Sequence, residues 1–223
     1  MAKIINNLEI IQSQIEKAKQ RSNVQQSVNI IAVTKEVDVA RTEEAIEAGL
    51  VHLGENRPEG LELKLQAIQA DAVKWHYIGS LQTRKVKQVI NEIDYLHSLD
   101  RLSLAEEIEK RATKPVKCFV QANVSGEESK HGLTKEQVLE FVKQLETFTK
   151  IEVVGLMTMA PFTEDETVIR QVFRELKQLQ QEVVRLNIAN VPCTELSMGM
   201  SNDYEIAVEE GATFVRIGTA LVG

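Results

Sequence analysis

The feature that most constrains the fold of this chain is an alternation of short apolar runs with longer segments of helical period. Eight runs have the length and composition of buried strands. Strands that alternate with helices form parallel sheets, because a parallel crossover needs a connection about as long as a helix. The predicted strands cover 30–33, 51–53, 75–78, 93–96, 116–122, 153–157, 194–197 and 214–217.

The segments between the strands place apolar residues three or four positions apart, as on one face of a helix. Side-chain oxygens at Asp38, Asp100 and Thr134 are predicted to cap three of these helices. The predicted helices cover 3–21, 39–48, 58–70, 81–91, 101–112, 134–148, 165–187 and 203–210.

Eight strand–helix units in about 190 residues fit a closed (β/α)₈ TIM barrel, and a doubly wound open sheet is the alternative. No linker or low-complexity tract divides the 223 residues. We therefore expect one α/β domain over residues 1–223, with residues 1–25 forming an extra N-terminal helix packed on the barrel.

Charge and composition narrow the function. A net charge of -7 argues against nucleic-acid and anionic-membrane partners, which would repel an acidic surface. No apolar stretch approaches the roughly 20 residues of a membrane span, and the N-terminus lacks a signal-peptide pattern, so a cytoplasmic location is expected. Cys118 and Cys193 do not form a disulfide framework in a chain of this length.

Lys35 is the first candidate for chemistry, because it ends the first apolar run. Active sites of parallel barrels lie at the carboxyl ends of the strands, and a lysine buried there would have a lowered pKa and a nucleophilic amine. Other candidate residues lie at the ends of predicted strands or follow them: Glu55, Asn56, Arg57, Gly79, Gln82, Asn123, Thr158, Ser197, Asp203 and Arg216.

The last two loops have the composition of a phosphate site. Ser201 is placed to cap the helix that begins near residue 202, and Gly218 with Thr219 offers backbone amides free of a Cβ. Taken alone, these residues are more simply a helix cap and a turn glycine. Combined with Lys35, they suggest a site for a phosphorylated aldehyde. A lysine on one side of the barrel mouth and a phosphate site on the other is the arrangement that binds pyridoxal phosphate (PLP), and Arg216 can then point at the pyridine ring.

Two other residue groups allow a different interpretation. His52, His76 and His97 fall on consecutive predicted strands, which permits a zinc site, but no HxH pair appears and His76 reads more simply as a packed histidine. We therefore predict no metal. The methionines 157, 159, 198 and 200 are expected to fill gaps in the core.

Six motifs in order resemble the YggS/PROSC group, the pyridoxal phosphate homeostasis proteins, over essentially the whole chain. They are Ala32-Val33-Thr34-Lys35, Gly54-Glu55-Asn56-Arg57, Trp75-His76-Tyr77-Ile78-Gly79 with Leu81-Gln82, Gly155-Leu156-Met157, Ser197-Met198-Gly199-Met200-Ser201 with Asp203, and Val215-Arg216-Ile217-Gly218.

The resemblance implies a barrel like the N-terminal domain of alanine racemase (PLP fold type III), with the cofactor held as an internal aldimine on Lys35. It implies phosphate contacts from Ser201, Gly218 and Thr219, Arg216 at the pyridine nitrogen and Asn56 lining the ring pocket. Met157 completes the expected cofactor-binding set, and His76, Gly199 and Met200 are secondary members. The family is regarded as cytosolic and non-catalytic, and is linked to vitamin B6 homeostasis and amino-acid and keto-acid balance.

The sequence departs from the family pattern at Arg84, at 58–60 and at 221–223, and Val37 replaces a second lysine that a transfer step could use. Three functions stay open: a PLP carrier that supplies apoenzymes, a PLP-dependent amino-acid racemase, and a PLP-responsive regulatory module. Related racemases take an acid or base from a second domain, and the sequence ends after the eighth strand, so we expect the carrier, as a monomer.

Overall fold

The apolar runs form eight parallel strands that close into one barrel in a computed structural model, which describes residues 1–126 and 131–223. Each strand pairs with the next in sequence, and β8 pairs with β1. The (β/α)₈ barrel is thereby confirmed, and the open-sheet alternative is wrong. The strands are β1 (Asn29–Val33), β2 (His52–Glu55), β3 (Lys74–Tyr77), β4 (Tyr95–Leu99), β5 (Val116–Gln121), β6 (Ile151–Met157), β7 (Glu195–Met200) and β8 (Phe214–Ile217).

Helices surround the barrel, and short 3₁₀ turns at Thr83–Lys85 and Leu145–Thr147 replace parts of two helices that the sequence predicts as longer. The helices are α1 (Ala2–Ser22), α2 (Val39–Glu47), α3 (Pro58–Ala67), α4 (Val86–Val89), α5 (Leu102–Arg111), α6 (Lys135–Gln144), α7 (Glu166–Arg185), α8 (Tyr204–Glu209) and α9 (Thr219–Val222). None of the helices in the described ranges has both the length and the apolar character needed to cross a membrane.

Two of the three predicted caps are confirmed. Asp38 accepts a hydrogen bond from the backbone N–H of Arg41 at 2.8 Å, and Thr134 forms a capping box with Gln137. The cap predicted at Asp100 is wrong: the N-cap residue of α5 is Arg101, and the Asp100 carboxylate accepts from the Arg101 guanidinium at 2.7 Å instead. The arginine side chain draws the carboxylate away from the helix start.

Helix α1 lies against α8 and α9. Its apolar face is buried (Ile4, Leu8, Ile11, Ile15 and Ala18), as the sequence period predicts. At its end, Arg21 forms ion pairs with Glu205 at 2.9 Å and Glu209 at 2.7 Å, and Asn7 donates to the Leu221 carbonyl at 3.1 Å.

Buried side chains form two layers, one between the strands and the helices and one inside the barrel. The outer layer contains most of the apolar core, including the free thiols of Cys118 and Cys193, whose pKa values burial raises. The inner layer is small and aromatic: Ile31, Phe119, Val154, Met157 and Phe214, with Tyr95 packed against them. The rest of the barrel interior is polar, and it leads to the site.

Candidate functional site

The carboxyl ends of the strands form a rim on which most of the predicted site residues lie, and we call the opening inside this rim the mouth. Lys35 occupies the turn after β1 and is exposed to solvent. The expectation of a buried lysine at this position is therefore wrong. The preceding side chain, Thr34, is fully buried and anchors the turn through a hydrogen bond to Glu55.

A buried ion pair lies directly behind this turn. The Lys64 ammonium, 3 % exposed, donates to Glu55 Oε1 and to the Thr34 carbonyl, both at 2.5 Å. Thr34 Oγ1 donates to the same Glu55 oxygen at 2.6 Å. Two charged side chains, from β2 and α3, thus fix the peptide that carries Lys35. The sequence alone does not reveal the role of Lys64, because a lysine in a helix is normally solvated.

The loops after β2 and β3 touch at Asn56 and Gly79. A Cβ on Gly79 would lie 2.5 Å from the Asn56 carbonyl oxygen, closer than real Cβ atoms approach. Asn56 is half-buried at the mouth. Glycine at position 79 is therefore what allows Asn56 to sit at its place in the rim.

The loop after β7 is shaped by Asp203 and Gly199. Asp203, and not Ser201, is the N-cap residue of α8, and its Oδ1 accepts from the Met200 N–H at 2.6 Å. Burial raises the pKa of Asp203, against the opposing effects of this hydrogen bond and of the Arg216 charge. The predicted Ser201 cap is therefore wrong, and Ser201 stays half-buried in the turn.

The four methionines near the ends of β6 and β7 form two pairs that differ in burial. Met157 and Met198 are buried in the core, as predicted. Met159 and Met200 are 38 % and 39 % exposed, so the prediction that they fill the core is wrong. Both stand where β6 and β7 end, and the rim leaves their side chains in contact with solvent.

Gly199 has a positive φ of 91° and tight surroundings. A Cβ there would lie 2.6 Å from the Ala207 side chain, so α8 can pack closely against the end of β7.

Gly218 and Thr219 connect β8 to α9 and lie beside the first strand. A Cβ on Gly218 would lie 3.6 Å from Val33, which is an ordinary contact, so packing against Val33 does not require glycine here. Thr219 is exposed at the start of α9. The first N–H groups of a helix have no partner within it, so this segment presents backbone amides and a hydroxyl. It lies beside Val33, two residues before Lys35.

Arg216 is buried inside the barrel beneath the mouth. Its Nη1 donates to Ser197 Oγ at 2.6 Å, and its Nη2 donates to the Thr158 carbonyl at 3.0 Å. Burial lowers the pKa of Arg216 to about 10, opposed by the charge of Asp203. The guanidinium is therefore still charged at neutral pH.

The three histidines from β2, β3 and β4 form a hydrogen-bonded series. His52 Nδ1 lies 2.9 Å from His76 Nε2, and His76 Nδ1 lies 2.8 Å from His97 Nε2. His97 Nδ1 lies 2.9 Å from Ser197 Oγ, the atom that Arg216 also contacts. Burial lowers the pKa of His52, and it lowers those of His76 and His97 well below the ordinary histidine value. Within residues 1–126 and 131–223, no group of three or more His, Cys, Asp or Glu could hold a metal ion.

The donor set at the mouth fits a phosphorylated aldehyde. An exposed primary amine at Lys35 can condense with an aldehyde, and the hydroxyls and amides around Ser201 and Thr219 suit phosphate oxygens. The charged guanidinium of Arg216 is buried on β8, the strand between β7 and β1. Asn56 lies on the same rim, and Met157 and His76 are buried inside the barrel.

A barrel with this lysine at the end of its first strand belongs to a defined class: residues 6–223 match the profile of the family described as "Alanine racemase, N-terminal domain". The barrel also resembles alanine racemase from Corynebacterium glutamicum, with a TM-score of 0.72 at 13% identity, over 99% of this chain and 60% of that one. At that identity the likeness shows the fold alone.

Nearer relatives narrow the class. The pyridoxal phosphate homeostasis protein of Aquifex aeolicus is 40% identical over 97% of this chain and 94% of its own length. The structure of PipY from Synechococcus elongatus with PLP bound has a TM-score of 0.85 at 30% identity, over 99% of this chain and 100% of that one. The chain belongs to the family of pyridoxal phosphate homeostasis proteins, as the motifs in its sequence indicate.

Proposed function

We propose that this protein binds PLP at the mouth of the barrel, as an internal aldimine on Lys35, and holds it for supply to other proteins. The observation that carries the proposal is the position of Gly218 against Val33, two residues before Lys35. It brings a lysine amine and a set of phosphate donors to one opening. The PLP-bound structure of PipY, a relative of the same fold and length, supports the same ligand.

Each residue at the mouth has a definite part in this proposal. Ser201, Gly218 and Thr219 bind the phosphate, since hydroxyl and amide donors form their strongest hydrogen bonds to charged acceptors. Asn56 and Met157 flank the ring, with Gly199 and Met200 shaping the β7 side and His76 behind it.

Arg216 faces the pyridine nitrogen in this arrangement. Its charge disfavours protonation of that nitrogen, and the cofactor then withdraws electrons weakly from anything attached to it. Such a site retains PLP without strongly activating it, which is what a carrier requires.

The wider role is PLP homeostasis, the function for which the curated relatives are named. We propose that the protein acts in the cytoplasm as a monomer, without turnover, and delivers PLP to apoenzymes. An effect on amino-acid and keto-acid balance would follow, because PLP enzymes interconvert these compounds.

The test compares Lys35→Ala with Lys117→Ala. Lys117 is also exposed, and it lies over the Tyr95 ring at the opposite end of the barrel, so its loss controls for removing a surface amine. After incubation with PLP and reduction with borohydride, peptide mass spectrometry should find a phosphopyridoxyl group on Lys35 in the wild type and in Lys117→Ala. The Lys35→Ala protein should carry none, and a label of wild-type intensity on another lysine would refute the assignment.

The same variants separate the alternatives. The family profile names a racemase domain, and racemisation of alanine or serine that is lost in Lys35→Ala would establish the enzyme instead of the carrier. A partner protein whose binding depends on PLP but receives none would favour the regulatory module.

A further inference from the structure

The barrel interior contains a continuous polar series, of which the proposed function uses only Arg216 and His76. We define the interior series as His52, His76, His97, Ser197 and Arg216, joined by four hydrogen bonds of 2.6 to 2.9 Å. It begins at the first residue of β2, where His52 is half-buried, and it ends at a guanidinium that also contacts the carbonyl following β6. It therefore connects the amino-terminal end of the barrel with the mouth.

The direction of every bond in the series follows from one obligate donor. Arg216 cannot accept a hydrogen bond, so Ser197 Oγ must accept from it. Ser197 is fully buried, and its other partner among the described residues is His97 Nδ1. Donating its only proton there satisfies the hydroxyl, whereas a buried hydroxyl proton without an acceptor costs about 1–3 kcal/mol.

The histidine tautomers then follow one after another. If His97 accepts at Nδ1, its proton is on Nε2, which donates to His76 Nδ1. His76 must then carry its proton on Nε2 and donate to His52 Nδ1. The rings have little freedom to rearrange, because His76 stacks on Tyr95 at 4.3 Å and His97 on Phe119 at 4.4 Å.

We propose that His52, His76, His97 and Ser197 are positioning residues that orient Arg216, and that a proton bound by His52 reverses the direction of the three hydrogen bonds between His52 and Ser197. This inference rests on the proposed function in one respect, the position of Arg216 at the pyridine nitrogen. In the neutral protein, the reversed state contains the same number of protons as the first state, at different nitrogens. Each histidine then carries its proton on Nδ1, and Ser197 accepts from both His97 and Arg216.

Only the reversed state can hold an added proton at His52, because a protonated imidazole donates from both nitrogens. Charged and titratable groups face His52 from several strands: Lys74 on β3, Asp94 and Tyr95 before and on β4, Lys117 on β5, Glu152 on β6 and Glu195 on β7. In the reversed state His97 competes with Arg216 for the lone pairs of Ser197. The hold on Arg216 loosens as a result.

The test uses protein labelled with ¹⁵N histidine and free of PLP, so that its result does not depend on the proposed function. Two-bond ¹H–¹⁵N correlation spectra distinguish the two neutral tautomers. At neutral pH, His52, His76 and His97 should all carry the proton on Nε2. A proton on Nδ1 of His97 would overturn the proposal.

Matched serine variants test the link to Arg216. Ser197→Ala removes the donor to His97, whereas Ser98→Ala removes a buried hydroxyl on β4 that has no partner in the structure. Ser197→Ala should shift His97 from one tautomer to a mixture and should change the absorption maximum of PLP-loaded protein. Ser98→Ala should leave the His97 tautomer and the absorption maximum unchanged. Unchanged His97 signals in a folded Ser197→Ala protein would refute the positioning role. Altered tautomers without PLP loading would refute only the proposed function.

Discussion

Polar side chains are arranged in opposite ways in the barrel interior and on the rim above it. Inside, His76, His97 and Arg216 are buried, and each is hydrogen-bonded to another member of the interior series. On the rim, Lys35 and Thr219 are exposed, and their side chains form no hydrogen bond with other described residues. The interior is satisfied by the protein alone, whereas the rim has donors left for a ligand.

This difference predicts how the barrel interior and the rim should respond to substitution. Changes in buried polar groups should alter stability, because a buried group that loses its partner cannot turn to water. Changes on the rim should alter ligand binding and leave stability close to that of the wild type.

The largest expected effect comes from the buried pair behind Lys35. Lys64→Met leaves Glu55 as an uncompensated buried charge, and the free energy of unfolding should fall by about 3–5 kcal/mol. The double variant Lys64→Met/Glu55→Gln should recover a large part of this loss. Urea unfolding measures both.

An exposed ion pair supplies the control. Lys143 and Glu140 form a pair at 2.8 Å with the lysine side chain 51% exposed, and Lys143→Ala should cost less than about 1 kcal/mol. Equal losses in Lys64→Met and Lys143→Ala would contradict the description of Lys64 as a buried, structural lysine.

The second effect is a dependence of stability on pH. Burial places the pKa values of His52, His76 and His97 below the ordinary value of 6.5, so below about pH 6.5 the unfolded chain binds protons that the folded chain does not. Stability is complete above that pH and is lost as pH falls towards the folded pKa values. The fully buried His76 and His97 each contribute up to about 1.4 kcal/mol per pH unit in this window, and the half-buried His52 contributes less.

Urea unfolding between pH 5 and 7 measures that slope. His76→Gln should reduce it by about 1.4 kcal/mol per pH unit. The exposed His131 lies outside the interior series, and His131→Gln serves as the matched control. A stability that does not change over this window would mean that the folded protein binds protons at the interior histidines as readily as the unfolded chain does.

The smallest effect should arise on the rim. In the proposed site, Ser201→Ala removes one hydroxyl donor to the phosphate, which is worth about 1.5 kcal/mol or about a tenfold loss of PLP affinity, and the unfolding free energy should stay nearly unchanged. Ser13→Ala, an exposed serine on α1, should change neither quantity. Spectroscopic titration with PLP measures the affinity, and a loss of stability in Ser201→Ala would break the division between rim and interior.

The sequence predicts the architecture well because the outer core follows simple periods. Strand β8 is found with its predicted bounds, and α1 has its predicted apolar face. Strand β4 was placed too early, at 93–96 instead of Tyr95–Leu99, because His97 and Ser98 interrupt its apolar pattern. His97 belongs to the polar interior of the barrel, where the apolar periods of two and of 3.6 do not apply.

The site was only partly predictable for a related reason. The residues that follow the strands could be found by position, and Lys35, Asn56 and Ser201 all lie on the rim. The surroundings of these residues could not be predicted, because the burial of Lys64 and the exposure of Lys35 depend on which loops cover which strand ends. Asp203 replaced Ser201 as the N-cap residue for the same reason: the turn geometry after β7 decides it.

Closure of the barrel also affects how this protein should behave at high concentration. Each of the eight strands has a neighbour on both sides, so the folded sheet offers no free row of N–H and C=O groups to another molecule. Self-association through strand edges would require a strand to detach first. Aggregation on heating should therefore follow the population of unfolded chains and begin only where unfolding begins.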